Sequence, residues 1–153
     1  MEKLNRESGR MPHRFKYRGD DMKLEMDLLR DLLLYIEEKA TRVHSDLEDI
    51  QIDGWPGEEV AYHVVQAEAD GLIKATITEI PGDDDPALLF IEYSVHRLTM
   101  RGHDFLGNIK EPSNWEAVKD GTKKVGAITV DAAVGIAQAY IKAKIAAYTG
   151  LPL

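Results

Sequence analysis

The sequence contains no cysteine. That one absence excludes a disulfide framework, a thiol nucleophile and a thiolate metal site. Long apolar runs are missing as well: no stretch approaches the roughly 18 consecutive apolar residues of a membrane span. Residues 1–21 are polar throughout and lack a secretory hydrophobic segment. The common chemical signatures are absent too. There is no Gly-x-Ser-x-Gly elbow to expose a serine nucleophile and no Gly-x-x-x-x-Gly-Lys-Ser/Thr loop to cradle phosphate. The five histidines show no His-Glu-x-x-His spacing, and Asp83-Asp84-Asp85 lacks the spacing and final Glu of a calcium loop. These absences lead us to expect a non-enzymatic protein in the cytoplasm, with no catalytic residues, cofactor, metal ligands or membrane partner.

What is present fits one domain. A chain of 153 residues, 44% hydrophobic and 30% charged, can bury one sizeable core. The net charge of −8 is uneven. Residues 1–18 carry six basic and two acidic side chains, net +4, which leaves −12 for residues 19–153. A basic arm over 1–21, with Phe15 and Tyr17 as its aromatics, reads as flexible because it mixes Gly, Pro, Arg and Asp without apolar period. The acidic body repels phosphate backbones at long range, so nucleic-acid binding would need a local basic patch.

Leu24, Leu28, Leu32 and Ile36 recur every four residues and predict a helix over 22–39. Ile50 and Ile52 predict a short strand over 47–52. Pro56-Gly57 and Gly71 bracket a helix over 58–70, with Val60, Val64 and Ala67 facing inward. Alternation at Ile73, Ala75 and Ile77, and again at Leu89, Ile91, Tyr93 and Val95, predicts a hairpin of strands 72–80 and 87–95 with an acidic tip. Thr99 should cap a helix carrying Phe105, Leu106 and Ile109, which Pro112 ends. Ser113 should cap a short helix with Trp115 and Val118. A Gly/Lys-rich link at 121–126 then leads to a last helix over 129–148. That helix has an apolar stripe at Val134, Ala137, Ile141, Ile145 and Tyr148. A second stripe, at Gly135, Ala139, Ala143 and Ala147, is small-residue only.

Helix, short strand, helix and hairpin is the winged-helix order, so the expected architecture is α+β: a winged-helix-like domain over 22–110 and a C-terminal helical extension over 111–153 packed on the same core. No good helical period occupies 40–56, so one helix of a full helix-turn-helix is missing. Met22-Lys23-Leu24-Glu25-Met26-Asp27-Leu28-Leu29-Arg30, Ile52-Asp53-Gly54, Val60-Ala61-Tyr62-His63-Val64, Gly71-Leu72-Ile73, Leu98-Thr99-Met100-Arg101-Gly102-His103-Asp104-Phe105-Leu106 and Asn114-Trp115 together resemble domain-of-unknown-function family 2513, over roughly residues 22–148. The resemblance implies a bacterial, phage or prophage setting and brings no activity or catalytic residue with it.

Two binding roles follow. DNA is the first candidate partner, engaged through Tyr62, His63 and Gln66 of the 58–70 helix, Arg14, Lys16 and Arg18 of the arm, and Arg97 and Arg101. A buried histidine bonded to a neighbouring element is the competing reading of His63. Glu58 and Glu59 oppose the DNA role, since they stand where a groove-reading helix meets phosphate. The alternative is an assembly or protein-interaction module. It would bind a second copy or a host or phage protein through Gly135, Ala139 and Ala143 of the last helix.

Overall fold

The computed structural model describes residues 23–126 and 129–150, together with the backbone of a strand at 15–17. The fold is α+β. Strand β1 (Phe15–Tyr17) precedes helices α1 (Met26–Lys39) and α2 (Gly57–Ala69), the hairpin β2 (Ile73–Pro81) and β3 (Leu89–Leu98), and helices α3 (Met100–Ile109), α4 (Pro112–Val125) and α5 (Val130–Thr149). The sheet is antiparallel in the order β1-β3-β2.

Within the arm over 1–21, residues 15–17 form a strand. Phe15 pairs with Ile91 and Tyr17 with Leu89, which covers one side of β3 that the hairpin leaves open. Arg14 and Arg18 lie outside the described residues. The strand expected over 47–52 is reduced to one antiparallel bridge, Leu47 with Val95. Leu47 and Val95 exchange backbone hydrogen bonds of 2.9 Å in both directions. Beyond it, the Ile50 N–H donates to the buried Tyr93 hydroxyl at 2.8 Å, so a side chain replaces the ladder.

One core joins all five helices to the hairpin. Leu28, Leu29, Leu32, Leu33 and Ile36 come from α1, Val60, Val64 and Ala67 from α2, and Phe105, Leu106 and Ile109 from α3. Trp115 and Val118 of α4 and Val130, Ala133, Val134 and Ala137 of α5 complete it. Polar ties then fix the helices to one another. Arg30 of α1 donates to the carbonyls of Ile109 (3.1 Å) and Lys110 (2.6 Å), placing a cation where the α3 dipole is negative. Trp115 Nε1–H donates to Asp27 Oδ1 at 2.7 Å, and Lys119 Nζ stands 3.0 Å from the same oxygen. The Trp115 hydrogen bond first, and Lys119 with it, hold the Asp27 carboxyl below its ordinary range.

The expected link at 121–126 is corrected. It is the C-terminal part of α4, a helix that starts with Pro112 in its first turn, is preceded by Glu111 and ends at Gly126. Ser113 is thus inside the helix, with no capping role. Gly121 survives in a helix interior because α5 crosses there: a Cβ on Gly121 would lie 2.8 Å from Ile136 Cγ2. Helix propensity alone disfavours glycine by about 1 kcal/mol, and that close approach is what offsets it.

The junction of α2, hairpin and α3 is equally close. Gly71, at φ +74°, closes α2 in a left-handed turn. Its N–H bonds Glu68 O (3.0 Å) and the Leu72 N–H bonds Ala67 O (2.9 Å), the paired pattern of a Schellman cap. The Leu72 carbonyl then accepts from the Thr99 N–H at 3.0 Å. Thr99 caps α3 as expected, its Oγ1 accepting from the Gly102 N–H at 3.0 Å. A Cβ on Gly102 would fall 2.0 Å from the Leu72 oxygen. Gly102→Ala should therefore destabilise the domain by about 2 kcal/mol or more in urea unfolding. Gly107→Ala, in the same helix with open space around it, should stabilise by about 0.5–1 kcal/mol. Equal effects at the two positions would refute the close approach.

Candidate functional site

The face formed by α2 and the hairpin is where the DNA reading stands or falls. Helix α2 contains no Lys or Arg. Pro56 precedes it, Glu58 and Glu59 fill its first turn, and the negative charge there complements the helix dipole. Around it and along the hairpin, Glu58, Glu68, Asp70, Glu79, Asp83, Asp84 and Asp85 are exposed, against Lys74 and Arg97. Fields from that many carboxylates oppose a polyanion.

The residues picked out for DNA contact do not share a surface role. Tyr62 and Gln66 are half-buried on α2. Arg97 is exposed at the end of β3, and its Nη1–H donates to the Val43 carbonyl at 3.3 Å. Arg101 opens α3 and pairs with Asp131 of α5 at 3.2 Å. Its Nε is buried without a hydrogen-bond partner among the described residues. Lys16 lies in β1, where only the backbone is described.

His63 as a nucleic-acid contact is corrected: it is completely buried. Its Nδ1 donates to the Glu59 carbonyl at 2.7 Å, and its Nε2 accepts from the Glu25 backbone N–H at 2.8 Å. Since a backbone N–H can only donate and a carbonyl can only accept, the ring is the neutral Nδ1–H form. It joins α2 to the residue preceding α1 and satisfies one of the free N–H groups there. Burial is the main reason its pKa lies below the ordinary 6.5, and the Glu59 carbonyl opposes that shift without cancelling it.

Helix α5 presents the other candidate face. Gly135, Ala139 and Ala143 are all exposed. Fully buried positions end at Ala137; beyond it Tyr140, Ile141, Lys144 and Ala146 are half-buried and the other residues exposed. Of the expected apolar stripe, Val134 and Ala137 are buried, while Ile145 is 48% and Tyr148 83% exposed. Lys144 Nζ donates to Asn114 Oδ1 at 2.9 Å and ties this half back to α4.

A third grouping was not legible in the spacing of the histidines, which read as scattered. His44, Asp46 and His96 converge, with one ligand-capable atom of each within 4.8 Å of the others. The Leu47–Val95 bridge brings the two segments side by side, and the turn at 43–44 just before it leaves His44 and Asp46, two apart, near His96. The usable signal was that i, i+2 spacing next to a segment able to pair with β3. His103 is exposed on α3 and takes no part.

The fold and surface define a small α+β domain with an acidic helix–hairpin face, and among the described residues no helix is long and apolar enough to cross a membrane. The chain belongs to the family described as hypothetical protein (DUF2513), whose family model matches residues 23–128. Helix α5 follows the matched segment. No curated protein and no solved structure matches the chain.

His63 makes stability pH-dependent in a definite direction. Its folded pKa is below the unfolded value, so the unfolded chain takes up the proton first. Its contribution is complete above about pH 6.5 and is lost as pH falls through the lowered folded pKa, with a slope of at most about 1.4 kcal/mol per pH unit. Urea unfolding from pH 7.5 downward should show this decline, and His63→Gln should flatten it, whatever its absolute cost. Parallel profiles for the two proteins would rule the buried neutral ring out as the cause.

Proposed function

We propose that the protein is a non-enzymatic binding module of phage or prophage type that works by protein–protein contact, with α5 pairing against α5 of a second copy. The observation that carries this reading is the composition of the exposed α5 face. With 3.6 residues per turn, Asp131, Gly135, Ala139 and Lys142 fall on one side of the helix. The small residues allow two backbones to approach closely. In an antiparallel pair, Asp131 at one end of each stripe, already beside Arg101 of its own chain, meets Lys142 at the other end of its partner's, so the face is complementary to itself. Ile145 and Tyr148, exposed beyond the core, supply apolar area at the same end of the helix. The acidity of α2 and the hairpin tip supports protein over DNA as the partner.

One observation favours a second reading. The order α1, bridge, α2, hairpin resembles a winged helix that lacks one helix, and Arg97 is an exposed cation at its edge. DNA binding would then use Tyr62 and Gln66 with the basic residues of 1–18.

Light scattering on the full chain should give a dimer. Ala139→Leu should return it to monomer with an unchanged circular-dichroism spectrum, because residue 139 is outside the core. A monomer at every concentration tested would overturn the pairing. A low-salt gel shift that is lost on joint Tyr62→Ala and Gln66→Ala substitution would replace it with the DNA reading.

A further inference from the structure

We propose that His44, Asp46 and His96 bind one divalent transition-metal ion, with Zn2+ as the ion best suited to the donor set. This inference is independent of the α5 pairing. The geometry is close to what such an ion requires. Asp46 Oδ1 is 3.8 Å from His44 Nε2 and 3.6 Å from His96 Nδ1. Metal bonds of about 2.0–2.1 Å at tetrahedral angles put neighbouring ligand atoms roughly 3.3–3.5 Å apart, so the two Asp46 separations need contract by only a few tenths of an ångström, while the His44 ring, stacked on His96, has to turn to bring its nitrogen to the ion. Two imidazoles and a carboxylate suit zinc and its neighbours, whereas magnesium and calcium favour oxygen-only shells.

Asp46 and His96 already have the supporting contacts that metal ligands use. Ser94 Oγ–H donates to Asp46 Oδ1 at 3.1 Å and orients the carboxylate. His96 is buried, and its Nε2 lies 2.8 Å from Thr76 Oγ1. The β2–β3 register passes from Lys74–Arg97 to Ala75–Val95 and skips His96. The His96 carbonyl instead accepts from the Ser45 N–H at 3.2 Å, which draws the 44–46 segment over the ring.

Without metal, His96 Nδ1–H donates to the Ser45 carbonyl at 2.7 Å. Metal binding at Nδ1 requires the ring proton to sit on Nε2, where the Thr76 hydroxyl oxygen, 2.8 Å away, can accept it. The Ser45 carbonyl oxygen, 2.7 Å from Nδ1 in the direction the ion would take, has to swing aside, after which it or water can serve as a further oxygen ligand. His44 stacks on His96 with centroids 3.8 Å apart and planes at 21°. Its side chain is 67% exposed, so its ring can pivot to aim Nε2 at the ion. Bound metal would staple the 44–46 segment to β3.

Isothermal titration of untagged, full-length protein with Zn2+ tests this. We expect one equivalent bound and a rise in unfolding temperature, with no response to Mg2+. His44→Ala and Asp46→Asn, both at exposed positions, should each weaken Zn2+ binding at least tenfold, and Thr76→Val by about tenfold, with circular dichroism unchanged. His103→Ala and His13→Ala should leave the affinity as it is. Absence of a Zn2+ response overturns the proposal, and so does a response that survives His44→Ala and Asp46→Asn.

Discussion

The backbone of Leu72 is the point on which the architecture turns. Its N–H closes α2, its carbonyl receives Thr99, and its oxygen presses against Gly102. Within a few residues, α2 ends, the hairpin begins and returns, and α3 starts. Because α3 is set against the helix layer there, Phe105, Leu106 and Ile109 meet α1, and Arg30 finds the end of α3. The contact leaves no room for a side chain at 102, so the glycine there is a steric requirement of the packing.

Buried polar groups make the arrangement specific. His63 and Trp115 each span a long stretch of sequence to reach the start of α1, one through the Glu25 N–H and the other through Asp27. Apolar burial supplies most of the stability of such a core, while an unpaired buried ring nitrogen would cost about 1–3 kcal/mol. These bonds therefore select one packing of α1 against α2 and α4 over its alternatives. They also remove His63 from any surface role, although its position in a helix after a Pro-Gly turn makes it look like a reader of DNA bases.

The surface divides into regions with different chemistry. Carboxylates dominate α2 and the hairpin tip, small residues and two apolar side chains occupy the outer side of α5, and a His–Asp–His grouping sits where residues 44–46 cover β3. The family match spans the first and third of these and stops before the second.

Local signals were sufficient for most elements. Periodicity located α1, α2 and α5 within a few residues, alternation located the hairpin, and Thr99 and Gly71 marked their caps, because each depends on side chains near in sequence. The interior helix at 121–125, the pairing of 15–17 and the loss of a strand at 47–52 were not legible. Each is decided by a partner distant in the chain: Ile136 over Gly121, β3 beside β1, and Tyr93 in place of a ladder. The candidate sites divide the same way. The α5 stripe is a property of one helix and is written in its four-residue spacing. The meeting of His44 and Asp46 with His96, and the burial of His63, depend on which segments lie together in space, and only the tertiary structure decides that.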